Sequence, residues 1–155
     1  MVRLYRITAA RYAEDHSGRG AYLYGGRWNS KSQHALYAAQ TVSLAMLEVL
    51  VHINKPPPRA YQLITYTVDP SLIADSSVEY AVPSRLDMKS LVGTREIGDT
   101  FLQSHQRPVL AIPSIMHAFE NNYLINPNHK LSDQIEVVDL SSFTFEERFF
   151  THAQN

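Results

Sequence analysis

Cysteine is absent from the 155 residues, and with it go disulfides, thiolate metal sites and a cysteine nucleophile. A reducing cytoplasm is the compartment this composition predicts. No apolar run approaches the roughly 20 residues that span a bilayer, and the N-terminal Met1-Val2-Arg3-Leu4-Tyr5-Arg6 lacks the apolar core and small-residue cleavage site of an export signal. Excess charge of one sign is also missing. With a formal net charge of -1 and scattered Lys and Arg, no basic field is available for sequence-independent nucleic-acid binding. The seven histidines lie far apart, and no two form H-x-x-x-H, so the expected metal is none. Tryptophan occurs once, at Trp28.

What is present fits one globular domain over residues 1–155, long enough to bury a core without staples. Val2 to Ile7 alternates as a strand, and Glu14 to Gly20 has turn composition. Ala35 to Ala39 reads as a second short strand. From Thr41 to Ile53, TVSLAMLEVLVHI is apolar nearly all round with Thr41 placed as an N-cap, which predicts a buried helix. Asn54-Lys55-Pro56-Pro57-Pro58 ends it. Tyr61 to Val68, Val109 to Ile112 and Ile135 to Leu140 are rich in β-branched and apolar residues and read as strands. Met88 to Ser104 reads as one or two helices around Gly93 and Gly98. Strands outnumber helices without a βαβ rhythm, so the expected class is α+β around a mixed, mainly antiparallel sheet.

Several residues have chemistry to offer. Glu48 stands alone among Met46-Leu47 and Val49-Leu50-Val51. A lone carboxylate in an apolar helix either pairs with His52 at i+4, reaches solvent, or is kept for use. Arg27 follows Gly25-Gly26 and precedes Trp28-Asn29. Such an arginine is either a surface residue or a guanidinium fork beside a backbone that a ligand can approach closely. Trp28 suits a core anchor. Ser114 follows the apolar run Val109 to Pro113, a place for a turn serine or a functional one. There is no G-x-S-x-G elbow, no dinucleotide fingerprint and no P-loop. The amides of Asn121 to His129 suit turns.

Taken in order, GGRWN (25–29), LYAA (36–39), LAMLEVLVH (44–52), VLAIPS (109–114) and NNYLINPNH (121–129) closely resemble the RES-domain family, whose arginine, glutamate and serine match Arg27, Glu48 and Ser114. The resemblance runs from RLYRI at Arg3 to Ile7 through FEERFF at Phe145 to Phe150. It implies a fold similar to ADP-ribosyltransferase toxins and a toxin of a bacterial toxin–antitoxin pair that depletes NAD. The implied partner is an antitoxin with an Xre-like helical part and a terminal domain that blocks the toxin's site, in a hetero-oligomer. Two departures stand out. The family's middle tryptophan is missing from Val82-Pro83-Ser84-Arg85-Leu86, and its aspartate-containing C-terminal pattern reads Glu146-Glu147-Arg148 here.

The resemblance also implies roles, with NAD as substrate and no further cofactor. Glu48 would hydrogen-bond the ribose 2′-hydroxyl and stabilise positive charge as nicotinamide departs. Arg27 would fork onto the pyrophosphate, with Arg6 either a second phosphate ligand or a structural residue. Tyr37 would stack on nicotinamide. Ser114 would orient Glu48 or a ribose, and Tyr123 and Asn126 are the remaining binding candidates. The acceptor can be water, phosphate or a protein side chain, and a catalytically silent binding module of the same fold is the alternative to an enzyme.

Overall fold

The computed structural model describes residues 1–82, 90–116 and 119–151. Among the described residues seven strands form: β1 (Val2–Ala9), β2 (Leu36–Ala39), β3 (Tyr61–Val68), β4 (Ile73–Asp75), β5 (Val109–Pro113), β6 (Asn121–Ile125) and β7 (Glu136–Phe143). The α-helices described with them are α1 (Arg19–Tyr24), α2 (Val42–Leu50), α3 (Ser76–Glu79) and α4 (Leu91–Ser104). The strands make one sheet in the order β4-β5-β6-β2-β1-β3-β7. Only β4 and β5 run parallel; the other pairings are antiparallel. The expected α+β class with a mainly antiparallel sheet is the one found.

The longest ladder is β1 against β3, in register from Val2 opposite Val68 to Ala9 opposite Tyr61. Period-two alternation then sorts side chains between layers. Leu4, Ile64, Tyr66, Val68, Val109, Tyr123 and Ile125 share one core cluster. Leu110, Ile112 and Leu124 pack instead with Trp28, Phe101 and Leu102, where α4 covers the sheet. A third cluster joins Ile7 and Ala39 to Leu44 and Ala45 of α2 and to Phe145.

Helix α2 starts where its sequence says, with the Thr41 hydroxyl accepting the Leu44 N–H at 3.1 Å. Its burial differs from expectation. Leu44 and Ala45 alone are buried within it, and Val51, just past its end, is 54% exposed. The helix lies over β1 and β2, with Met46, Val49 and Leu50 half-buried against the cluster around Phe145. The Glu14–Gly20 turn is real at Asp15, whose carboxylate accepts the N–H and hydroxyl of Ser17, but helix α1 begins before the expected turn ends.

Strands β4 and β6 have no counterpart in the sequence reading. Tyr123-Leu124-Ile125 is too short an apolar run to declare itself, and β6 exists because β2 and β5 pair with it from both sides. Helix α4 is one helix that passes through both Gly93 and Gly98. The middle segment that departs from the family pattern lies, from 83 to 86, outside the described residues. Glu146 and Arg148 form an exposed pair at 3.0 Å, away from the cavity described next.

Candidate active site

A cavity of about 750 Å³ opens beside β1 and β2, under the Gly25–Ser30 loop and the inner side of α2. Arg6 reaches it from β1, Arg27 from the loop, Tyr37 from β2 and Glu48 from α2. Residues spread over more than forty positions of sequence therefore meet around one space.

The loop is built around Asn29, which is wholly buried. Its amide donates to the carbonyls of Ala21, Ser30 and Gln33 at 2.9, 3.0 and 3.2 Å. Its Oδ1 accepts the Tyr37 hydroxyl at 2.7 Å. The Tyr37 oxygen accepts in turn the Trp28 N–H at 3.1 Å. This pairs polar groups that would be costly to bury alone. Burial pushes the Tyr37 phenol well above its usual range, the Trp28 N–H opposing this in part, so Tyr37 serves as a neutral hydroxyl.

Trp28 is 3% exposed and packs with Phe101, Leu110, Ile112 and Leu124. The single indole is thus a core anchor, and Arg27, its neighbour, is left partly exposed at the cavity. Gly25 takes a left-handed φ of 70°, and a Cβ at Gly26 would come within 2.6 Å of Asn29 Oδ1 and 2.7 Å of the Tyr37 hydroxyl. The glycine pair lets the chain turn tightly against the groups that fix it.

Glu48 finds its partner in Asn122, not in His52. Asn122 Nδ2 donates to Glu48 Oε1 at 2.7 Å, and both residues line the cavity. Arg6 donates to the Asp15 carbonyl at 3.4 Å. It stands near Tyr66, whose hydroxyl meets His16 Nδ1 at 3.1 Å; burial raises the Tyr66 phenol, and the Arg6 charge works against that rise.

Other expected site residues lie elsewhere. Ser114 is buried, with its hydroxyl accepting the Met116 N–H at 3.0 Å and its N–H donating to Glu120 O at 3.1 Å. It shapes the turn whose Ile115 and Met116 line the cavity. Tyr123 belongs to the core on the opposite face of β6 from Asn122, and burial raises its phenol. Asn126 is buried away from the cavity, donating to the Leu102 carbonyl at 2.9 Å and accepting the Asn128 N–H at 3.0 Å. The strand pleat explains the difference: once Asn121–Ile125 pairs as a strand, Asn122 and Tyr123 point to opposite faces, and only Asn122 meets Glu48.

Arg19 and Arg95 also line the cavity, and sequence reasoning had singled out neither. Among the described residues, four arginines thus face two carboxylates, Asp15 and Glu48. Such an excess favours an anionic ligand with a local cationic centre beside Glu48. The volume falls within the roughly 300–1,000 Å³ range usual for small-molecule sites. Among the described residues, no group of three or more His, Asp or Glu is placed to hold a metal ion, and no helix is long and apolar enough to cross a membrane.

Residues 3–146 match the RES domain. The chain belongs to the RES-domain family. This RES-domain protein is 38% identical over 149 residues to "Toxin Res" of Yersinia enterocolitica, covering 94% of the chain and 97% of that relative. It is 33% identical to "Prs ADP-ribosylating toxin" of a Sphingobium species, covering 91% and 90% of the two chains. Its fold is shared with a chain of the M. tuberculosis MbcT–MbcA toxin–antitoxin complex, at a TM-score of 0.72 and 22% identity over 92% of this chain and 84% of that one.

Proposed function

We propose that this RES-domain protein is the toxin of a toxin–antitoxin pair and cleaves NAD at its nicotinamide–ribose bond. The observation that carries the reading is the convergence of Arg6, Arg27, Tyr37 and Glu48 on one cavity with cationic excess. NAD asks for this charge pattern. Its pyrophosphate needs donors, and an arginine fork supplies two at fixed geometry. Its nicotinamide is already a cation, so the C1′–N bond breaks with the electron pair leaving on a neutral pyridine amide, and no general acid is required. The positive charge then rests on the ribose. A carboxylate held in place before the reaction stabilises that charge without reorganising, and Glu48, tethered by Asn122, is such a group. Tyr37, neutral and fixed by two hydrogen bonds, offers a ring against which nicotinamide can be held.

Relatives named as toxins and a fold neighbour from a toxin–antitoxin complex support the biological setting. The partner in this reading is an Xre-type antitoxin that closes the cavity, in a cytoplasmic hetero-oligomer. The test is to incubate the purified chain, free of antitoxin, with NAD and to follow nicotinamide release with and without phosphate. Release supports the reading, the phosphate arm separates hydrolysis from phosphorolysis, and no release in either arm sinks it.

A second reading is favoured by one observation, the Sphingobium relative's description as an ADP-ribosylating toxin. Here a protein side chain is the acceptor. Adenine-labelled NAD would then leave its label on a macromolecule, whereas label recovered only in small soluble products rejects this version.

A further inference from the structure

Helix α4 does more than cover the sheet. Four of its residues, Thr94, Arg95, Gly98 and Asp99, fall on one face by their i, i+1, i+4, i+5 spacing, and each meets a successive part of the Arg27 loop. Arg95 Nε donates to the Gly26 carbonyl at 2.8 Å. The Thr94 hydroxyl donates to the Arg27 carbonyl at 2.6 Å. Gly98 lies so close to Trp28 that a Cβ there would overlap the Trp28 carbonyl. Asp99 accepts the Ser30 N–H at 2.9 Å and the Ser30 hydroxyl at 2.5 Å. The loop that carries Arg27 is thus fastened to α4 at Gly26, Arg27, Trp28 and Ser30.

Arg95 differs from the other three because it also lines the cavity. Its Nε is committed to Gly26, which fixes the plane of the guanidinium, and no ion pair with a carboxylate forms among the described residues. Its terminal nitrogens remain as donors on a fork whose orientation is already set. One of them stands next to Gly25, where a Cβ would meet it at 3.4 Å. Arg27, which follows the glycine turn, and Arg95, which stands beside it, therefore both line the cavity, and the Arg27 backbone is bonded to the helix that carries Arg95.

We propose that Arg95 is a second ligand for the substrate's pyrophosphate, acting with Arg27, and that Thr94, Gly98 and Asp99 are positioning residues that hold the two cations in register. The proposal rests on the NAD reading for its ligand and names the part of the substrate that this wall takes. A diphosphate presents oxygens on two phosphorus centres, which one planar fork cannot meet at once. Because the Arg95 side chain is fastened to the Gly26 carbonyl, little of its freedom is lost when the anion arrives.

ADP, which carries the diphosphate but no nicotinamide, is the probe. Its binding to the full chain is measured by calorimetry over a range of salt concentration, beside amide hydrogen exchange across residues 25–30. Arg95→Gln is expected to weaken ADP binding by about tenfold or more and to flatten its salt dependence, since one cation has gone. Arg95→Lys should restore the salt dependence while binding ADP less tightly than wild type, because a point charge replaces the fork. Thr94→Val should speed exchange in the loop and weaken binding with the salt dependence unchanged. Wild-type salt dependence in Arg95→Gln, or its failure to return in Arg95→Lys, would overturn the proposal by reducing Arg95 to a loop brace. Wild type that does not bind ADP overturns it too. Wild type that binds ADP in this way yet releases no nicotinamide from NAD removes the proposed reaction and leaves the diphosphate site standing.

Discussion

Asn122 Nδ2 donates to Glu48 Oε1 at 2.7 Å, joining β6 to α2 across 74 positions of sequence. One carboxylate oxygen is thereby fixed, and the second is left for the cavity. A glutamate has three side-chain torsions, so in the proposed reaction this single bond decides whether its charge sits beside the ribose or wanders. Asn122→Ala should lower kcat for nicotinamide release by about tenfold to a hundredfold, the range for a hydrogen bond to a charged group, with little change in thermal midpoint. Asn122→Asp should be worse, because it sets a second carboxylate against the first. An Asn122→Ala enzyme with wild-type kcat would show that Glu48 needs no tether.

Replacing Glu48 itself with Gln keeps the shape and an oxygen that Asn122 can still reach, so folding should be preserved. The charge is lost. In the proposed mechanism that charge acts mainly in the transition state, so turnover should fall on the order of 10²–10³-fold while NAD affinity changes far less. Turnover within about threefold of wild type, roughly 0.7 kcal/mol on the rate scale, would return Glu48 to an ordinary helix-surface residue.

How much of this could be read in the sequence depends on the range of the interaction. The Thr41 cap, the β3 strand and the Arg27 turn are local, and each carries its own signal in residue type and spacing. The family motifs brought Arg6, Arg27, Tyr37 and Glu48 forward, and the fold sets those four around one cavity. Asn122 was hidden because its choice over Tyr123 depends on the pleat of a strand that only its neighbours in the sheet create. Arg95 was hidden for a similar reason. Its meaning comes from the Gly26 carbonyl, 69 positions away, and nothing in LVGTREIGDT marks one helix face as a clamp.

Gly26→Ala tests whether the turn must be tight. A methyl group would stand within 2.6 Å of Asn29 Oδ1 and 2.7 Å of the Tyr37 hydroxyl, neither free to retreat because each is hydrogen-bonded to the other. Overpacking of this kind costs about 1–3 kcal/mol, and each kcal/mol should lower the thermal midpoint by about 2–4 °C in a chain of this size. Arg27 moves with the turn, so KM for NAD should rise as well. A variant with unchanged midpoint and unchanged KM would show that the loop yields without consequence.

Tyr37→Phe separates the phenol's structural work from its ring. The variant keeps the ring at the cavity but removes the oxygen that bridges Trp28 N–H and Asn29 Oδ1. Leaving those groups without this partner should cost about 1–3 kcal/mol near neutral pH. The pH dependence gives a second readout with a definite sign. Burial raises the Tyr37 phenol above its unfolded value, which for tyrosine is about 10. The stability this proton contributes is present in full below that value. Above it the unfolded chain gives up the proton while the native state keeps it, so unfolding free energy falls as pH rises, by up to about 1.4 kcal/mol per pH unit for one proton. Tyr66 and Tyr123 are raised by burial as well and supply a similar slope of their own in both proteins. Urea unfolding at pH about 7 and about 11 should therefore show a wild-type advantage over Tyr37→Phe that is largest at neutral pH and shrinks in alkali. If the two proteins lost stability in parallel between those values, the Tyr37 proton would not be held by the fold, and the neutral, fixed phenol at the wall of the cavity would have to be given up.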